Sequence, residues 1–339
     1  MRWFLAMALA ACASDPAVDP ATLQMNDLAI LFPLGQDPRF AFSAPGRGGV
    51  LVPDALVTAA TDFQTPSQFT ITAMRLDPCF GQLGDAPCDA QLRLVFQPMM
   101  PGTETRVDDV GVHAFYSLTQ DELLAAIREI TAARGTADLG PLAVHPLLAQ
   151  QGTGGAFATT LSHVISTYAG QGNLVRLNAF SIVEDTKPIE TRQQWAFTSA
   201  DISAGTVSPH LIPGMTASRL DATVELAQFT TTIDPVATIM DSVGNIENPH
   251  VQTPNTIDCA SCHFAQPSHE LGGVPVGDAF EAAGIPAADL ASTTHLIDPN
   301  DQGLNIHAFS YRFTQPMINQ RTINETANNI AYLGPLLRE

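Results

Sequence analysis

Two thiols and an imidazole fall within five residues at Cys259-Ala260-Ser261-Cys262-His263, and no other segment constrains the chain as strongly. Cysteines spaced this way and followed at once by histidine form the attachment pattern of c-type haem. The thiols reach the two vinyl groups while the imidazole is presented to iron. The same residues allow two other chemistries. A redox dithiol also uses Cys-x-x-Cys, but in a βαβ setting that the flanking sequence lacks. A zinc site needs further ligands at suitable spacing, and His269 is near enough to supply one. The pattern predicts one covalent haem c on Cys259, Cys262 and His263, with the other two chemistries as alternatives.

A chain of 339 residues, 45% of them hydrophobic, suffices for a large core divided between two domains. Its 34 acidic residues against 15 basic ones leave a formal charge of −19, the opposite of the footprint that nucleic acid requires. Nucleic acid is therefore excluded as a partner. No stretch reaches the roughly 18 uninterrupted apolar residues of a membrane-spanning helix.

Residues 1–11 have the form of an export signal, with Arg2 ahead of the short apolar run from Trp3 to Ala11. The end of this run, Leu9-Ala10-Ala11-Cys12, resembles a bacterial lipobox. That resemblance implies acylation of Cys12 and anchoring by lipid in the cell envelope, facing the periplasm or the exterior, with residues 12–27 as a tether. Cleavage at Ala11-Cys12-Ala13 to release a soluble protein is the alternative, and it leaves Cys12 as an odd thiol. With Cys12 lipidated and two cysteines on haem, Cys79 and Cys88 remain of the five. They bracket a Gly/Pro-rich turn and are expected to form a disulfide in an oxidising compartment. A metal site at this pair is weaker, because no histidine lies nearby.

Residues 28–244 are expected to form an α+β domain of unassigned role, a largely antiparallel sheet with flanking helices. Strand-like segments recur at Gln68–Met74, Ala90–Gln97, Val110–Tyr116, Asn173–Val183 and Thr191–Ser199, with clear alternation in Gln91–Phe96 and Arg176–Ser181. Thr119 and Glu122 make a capping box ahead of Leu123, Leu124, Ile127 and Ile130, which predicts a helix there. A second helix is predicted over Gly155–Tyr168, with Gly170 as a stop, and a third from Asp234 to Gly244. The polar segment 245–254 opens the C-terminal domain, residues 245–339. His113, His145, His163, His210 and His250 carry no motif and are expected to be surface or satisfied histidines. Gly152-Thr153-Gly154-Gly155 is expected to be an ordinary loop.

From the attachment pattern onward, about Asn255 to Arg338, the chain resembles the small monohaem, class I-like cytochrome c domain. The resemblance implies an all-α unit, a methionine binding iron from the far side and a last helix packed across the haem-bearing one. Met317, the sole methionine after the motif, is the implied ligand. His307 is its main competitor, with His295 and His269 below it, and an open position is a further alternative. Met215, in the upstream domain, ranks below Met317. Thr322 and Glu325 form another capping box, ahead of a helix ending near Tyr332-Leu333-Gly334-Pro335. Pro267 departs from the family pattern, because it is expected to end the haem-bearing helix early.

With a single attachment motif, no hydrolase elbow, no zinc helix and no phosphate or dinucleotide loop, one-electron transfer with a redox partner protein is the implied activity. An oxidoreductase subunit and a sensor or binding lipoprotein are the alternatives.

Overall fold

The computed structural model describes residues 22–61, 63, 68–78, 90–100, 105–184, 193–211, 222–225, 243–253, 256–271 and 305–338. A short helix, α1 (Met25–Leu28), leads into β1 (Ala29–Leu31). A tight hairpin of β2 (Pro45–Gly46) and β3 (Gly49–Val50) and the helix α2 (Asp54–Ala60) follow. Alternating sequence then becomes sheet, in β4 (Phe69–Asp77), β5 (Ala90–Pro98), β6 (Gly111–Leu118), β7 (Leu174–Glu184) and β8 (Gln193–Ser203). Two shorter strands complete it, β9 (Thr206–Pro209) and β10 (Ala222–Glu225). The order is β1-β4-β5-β6-β7-β8-β10, with β9 also on β8, and every pairing is antiparallel. The expected α+β class and antiparallel sheet are thus present.

One face of the sheet is apolar. Leu92, Leu94 and Phe96 of β5 and Val112, Ala114 and Tyr116 of β6 point to it, and a bulge between Ile71 and Ala73 brings Met74 and Leu76 into phase with Ile71. Three helices lie between β6 and β7: α3 (Gln120–Arg134), α4 (Pro146–Gln151) and α5 (Ala156–Tyr168). Residues Leu123, Ile127 and Ile130 of α3 and Phe157, Leu161, Val164 and Ile165 of α5 fill this core. Each such side chain contributes roughly 1.5–3 kcal/mol on burial. The capping box forms as expected, with Thr119 accepting from the Glu122 amide and Glu122 accepting from the Thr119 amide.

The alternation that predicts the strands also predicts a solvated second face, and here the structure differs. Residues Arg75, Asp77, Gln91 and Gln97 are all buried. The cover comes from α6 (Cys259–Leu271), a hairpin of β11 (Phe309–Arg312) and β12 (Gln315–Ile318), and α7 (Gln320–Arg338). Phe309, Tyr311, Ile318 and Ile323 pack with Ala73 and Val95 of the sheet. Gln97 clamps the hairpin, donating to the Tyr311 carbonyl at 2.7 Å and accepting from its amide at 2.9 Å.

An all-α C-terminal unit is therefore not what the described residues form. Two extended runs joined by a turn at Phe313 (φ 56°) pair as β11 and β12, because their apolar residues find partners on the sheet. Two local expectations also change. Asn319, not Thr322, caps α7, accepting from the Thr322 amide at 2.9 Å, and the helix runs past Gly334-Pro335 to Arg338. Glu325 is thereby released from a capping role. Pro267 sits inside α6, which continues to Leu271 without the bond a proline cannot donate to the His263 carbonyl. Residues 243–247 form a short helical turn, while Asp234 and Pro235 lie outside the described residues.

Candidate haem site

Helix α6 begins where Asp258 caps it, its carboxylate accepting from the Ser261 amide at 2.8 Å and hydroxyl at 2.7 Å. From that start, Cys259, Cys262 and His263 stand at i, i+3 and i+4, the spacing that puts side chains on one helix face. All three line one cleft of about 690 Å³, its open mouth included. Opposite them the cleft is walled by the second face of the sheet, including Arg93, His113 and Asn178. Next to His263, Phe264 meets the rings of Trp195 (5.2 Å) and Phe197 (6.1 Å) of β8, which pins the helix to the sheet.

His263 is oriented from behind. Its Nδ1 donates to the Ile306 carbonyl at 2.7 Å, which leaves Nε2 as the ring nitrogen able to bind a metal. Phe180 and Phe197 flank the ring at 5.3 and 5.4 Å. Burial lowers His263 to about 4, against the opposing pull of the Ile306 bond, so the imidazole is neutral, as a metal ligand must be.

A buried charge network borders the cleft. Glu325 of α7 accepts from Arg75 at 2.8 Å and is also paired with Arg93 and Arg321. Asp77 accepts from Arg75 at 3.1 Å and Arg93 at 2.6 Å. Burial alone would raise Asp77, but Arg75 and Arg93 outweigh it and hold the carboxyl at about 2. Burial likewise opposes ionisation of Glu325, and the three guanidiniums, Arg321 first, overcome it. Arg75, Arg93 and Arg321 all reach the cleft wall, which Glu325 and Asp258 also line.

The donors suit haem better than the two rival chemistries. Burial pushes Cys259 up to about 12 and raises Cys262 as well, whereas reactive dithiols depend on a lowered thiol pKa. Among the described residues no three of His, Cys, Asp or Glu converge as a zinc ion requires. The side chain of His269 lies outside the described residues.

Met317 is fully buried on β12, paired through its backbone with Ser310, and is not among the residues lining the cleft. His307 has both ring nitrogens occupied, Nδ1 by the Ser310 hydroxyl and Nε2 by Asp109, each at 2.7 Å. The Ser310–His307–Asp109 array has the residue types of a hydrolase relay, but Ser310 and His307 are 2% and 1% exposed and Arg312 also holds Asp109. It ties the hairpin to the sheet. Cys12, Cys79, Cys88, Met215 and His295 lie outside the described residues.

Sequence reasoning missed His113, which lines the cleft with its ring 6.0 Å from that of His263. The available signal was its phase on β6, between Val112 and Ala114 on the apolar face. His145 and His210 are both buried, and only His145 departs from the surface-or-satisfied expectation. Asp201 accepts from Nδ1 of His210 at 2.9 Å, whereas neither ring nitrogen of His145 has a partner among the described residues. His163 is exposed, as expected. No family model, curated protein or solved structure matches the chain.

Proposed function

We propose that this protein is a monohaem c-type electron carrier of the bacterial cell envelope, anchored by lipid on Cys12, with haem c bound covalently to Cys259 and Cys262 and ligated by His263. The observation that carries this reading is the His263–Ile306 hydrogen bond within a helix face that also presents both thiols to one cleft. Proximal histidines are fixed in this way, by a bond from the far ring nitrogen that sets tautomer and direction.

Bound there, haem would supply a one-electron iron couple, and Cys259, Cys262 and His263 are the residues that would hold it. The residues of the chain do the rest. Arg75, Arg93 and Arg321, which line the cleft, would be the cationic groups nearest to the porphyrin carboxylates. Phe180, Phe197 and Phe264 exclude water around the His263 ring. Cys259 and Cys262 line the cleft and are themselves partly exposed, so a haem held there would stay within reach of a redox partner. The proposed likeness to monohaem cytochrome c domains rests on the Cys-x-x-Cys-His residues, with the sheet supplying the opposing wall.

The test is a pyridine haemochrome spectrum and intact mass of the full chain, made in a host with haem-maturation machinery. One covalent haem is expected, lost in Cys259→Ala/Cys262→Ala. Protein without added haem mass would overturn the reading.

A further inference from the structure

We propose that His113 of β6 is the second axial ligand of the iron, making the site bis-histidine. This rests on haem attachment at Cys259 and Cys262 and assigns the position that attachment leaves open.

Distance supports it first. A metal–imidazole nitrogen bond is about 2 Å and the ring centre lies about 1 Å further back, so two imidazoles on opposite sides of one metal have centres about 6 Å apart. The His113 and His263 centroids are 6.0 Å apart, inclined at 51°, and both rings line the same cleft. Two side chains on one axis through the metal are free to differ in rotation about it, so the inclination is compatible with shared ligation.

Elimination supports it second. Of the cleft-lining groups that bind iron, Glu325 is held by three arginines and Asp258 is spent on capping α6. Among the described residues no methionine lines the cleft. Outside it, His307 has no free nitrogen, and Met317 is fully buried on β12 and absent from the cleft lining. His113 makes no hydrogen bond among the described residues and keeps a nitrogen lone pair available. Its strand is central, paired at Val95 on one side and Asn178 on the other, so the ring is mounted on rigid backbone.

The chemical consequence is a lower reduction potential than methionine ligation would give, because a second imidazole favours ferric iron and a thioether favours ferrous iron. The experiment compares haem-loaded wild type, His113→Ala, His113→Gly, His113→Met and Met317→Leu by absorption and electron paramagnetic resonance, with haem content measured on each. Wild type is expected to be low-spin, without the sulfur-to-iron charge-transfer band. His113→Ala should keep its covalent haem, become high-spin and bind carbon monoxide in the ferrous state without denaturant. Added imidazole should return His113→Gly to low spin. His113→Met should acquire the sulfur-to-iron band and a higher potential, and Met317→Leu should match wild type. A low-spin spectrum unchanged in His113→Ala, or a sulfur-to-iron band in wild type lost in Met317→Leu, would overturn the assignment with haem attachment left standing. Absence of covalent haem from wild type would remove the attachment and the ligation together.

Discussion

The Glu325 carboxylate of α7 accepts a hydrogen bond from the Arg75 guanidinium of β4 at 2.8 Å, joining positions 250 apart in the chain. Both side chains are 8% exposed, and Arg93 and Arg321 share the same carboxylate. Burying one charge of such a group without its partner is far more costly than burying the set. Glu325→Ala should therefore lower unfolding free energy by about 3–5 kcal/mol. Urea titration of the purified protein measures this, and a loss under about 1 kcal/mol would show that the network is solvated.

Acid should act through His145. Its ring stacks on Phe157 at 4.4 Å with both nitrogens unpartnered among the described residues, and burial lowers it to about 4. The unfolded chain takes up this proton near 6.5 and the folded chain only near 4, so the unfolded state binds more protons between those values. Stability contributed by neutral His145 is complete above pH 6.5 and is lost as pH falls toward 4, by about 3 kcal/mol in all. In His145→Phe, the fall of melting temperature across that window should be shallower than in wild type, both haem-loaded. Parallel curves would refute the assignment.

Gly170 is required for a close approach. A Cβ there would lie 2.2 Å from the Arg47 nitrogen and 2.5 Å from its carbonyl oxygen, and both are backbone atoms fixed by bonds to Ala169 and Gly172. Gly170→Ala should destabilise by about 1–3 kcal/mol. The expected readout is an earlier urea midpoint with an unchanged slope.

The thiols should be inert in the folded chain made without haem. Raising Cys259 from 9.0 to about 12 lowers its thiolate fraction at neutral pH by roughly a thousandfold. Iodoacetamide should accordingly label Cys259 far more slowly in native protein than in urea. Equal rates would favour the dithiol chemistry instead.

Much of the scaffold is legible along the chain. The alternation in Gln91–Phe96 and Arg176–Ser181, the Thr119–Glu122 box and the spacing of Phe157, Leu161 and Val164 all mark elements that form close to their expected bounds. The Thr322–Glu325 box misled because the same residue types serve a different purpose when a sheet lies within reach. Asn319 caps that helix, and Glu325 turns to three arginines.

By itself the sequence determined the five long strands β4 to β8, the two central helices and the Cys-x-x-Cys-His pattern, since each depends on residues no more than about four positions apart and on backbone periods of two or 3.6. Only the tertiary structure decided that the polar face of the sheet is covered rather than wet, and that His113 faces His263 across a cleft. Those relations follow from strand register and from where a distant segment lands, and local periodicity carries no information about either.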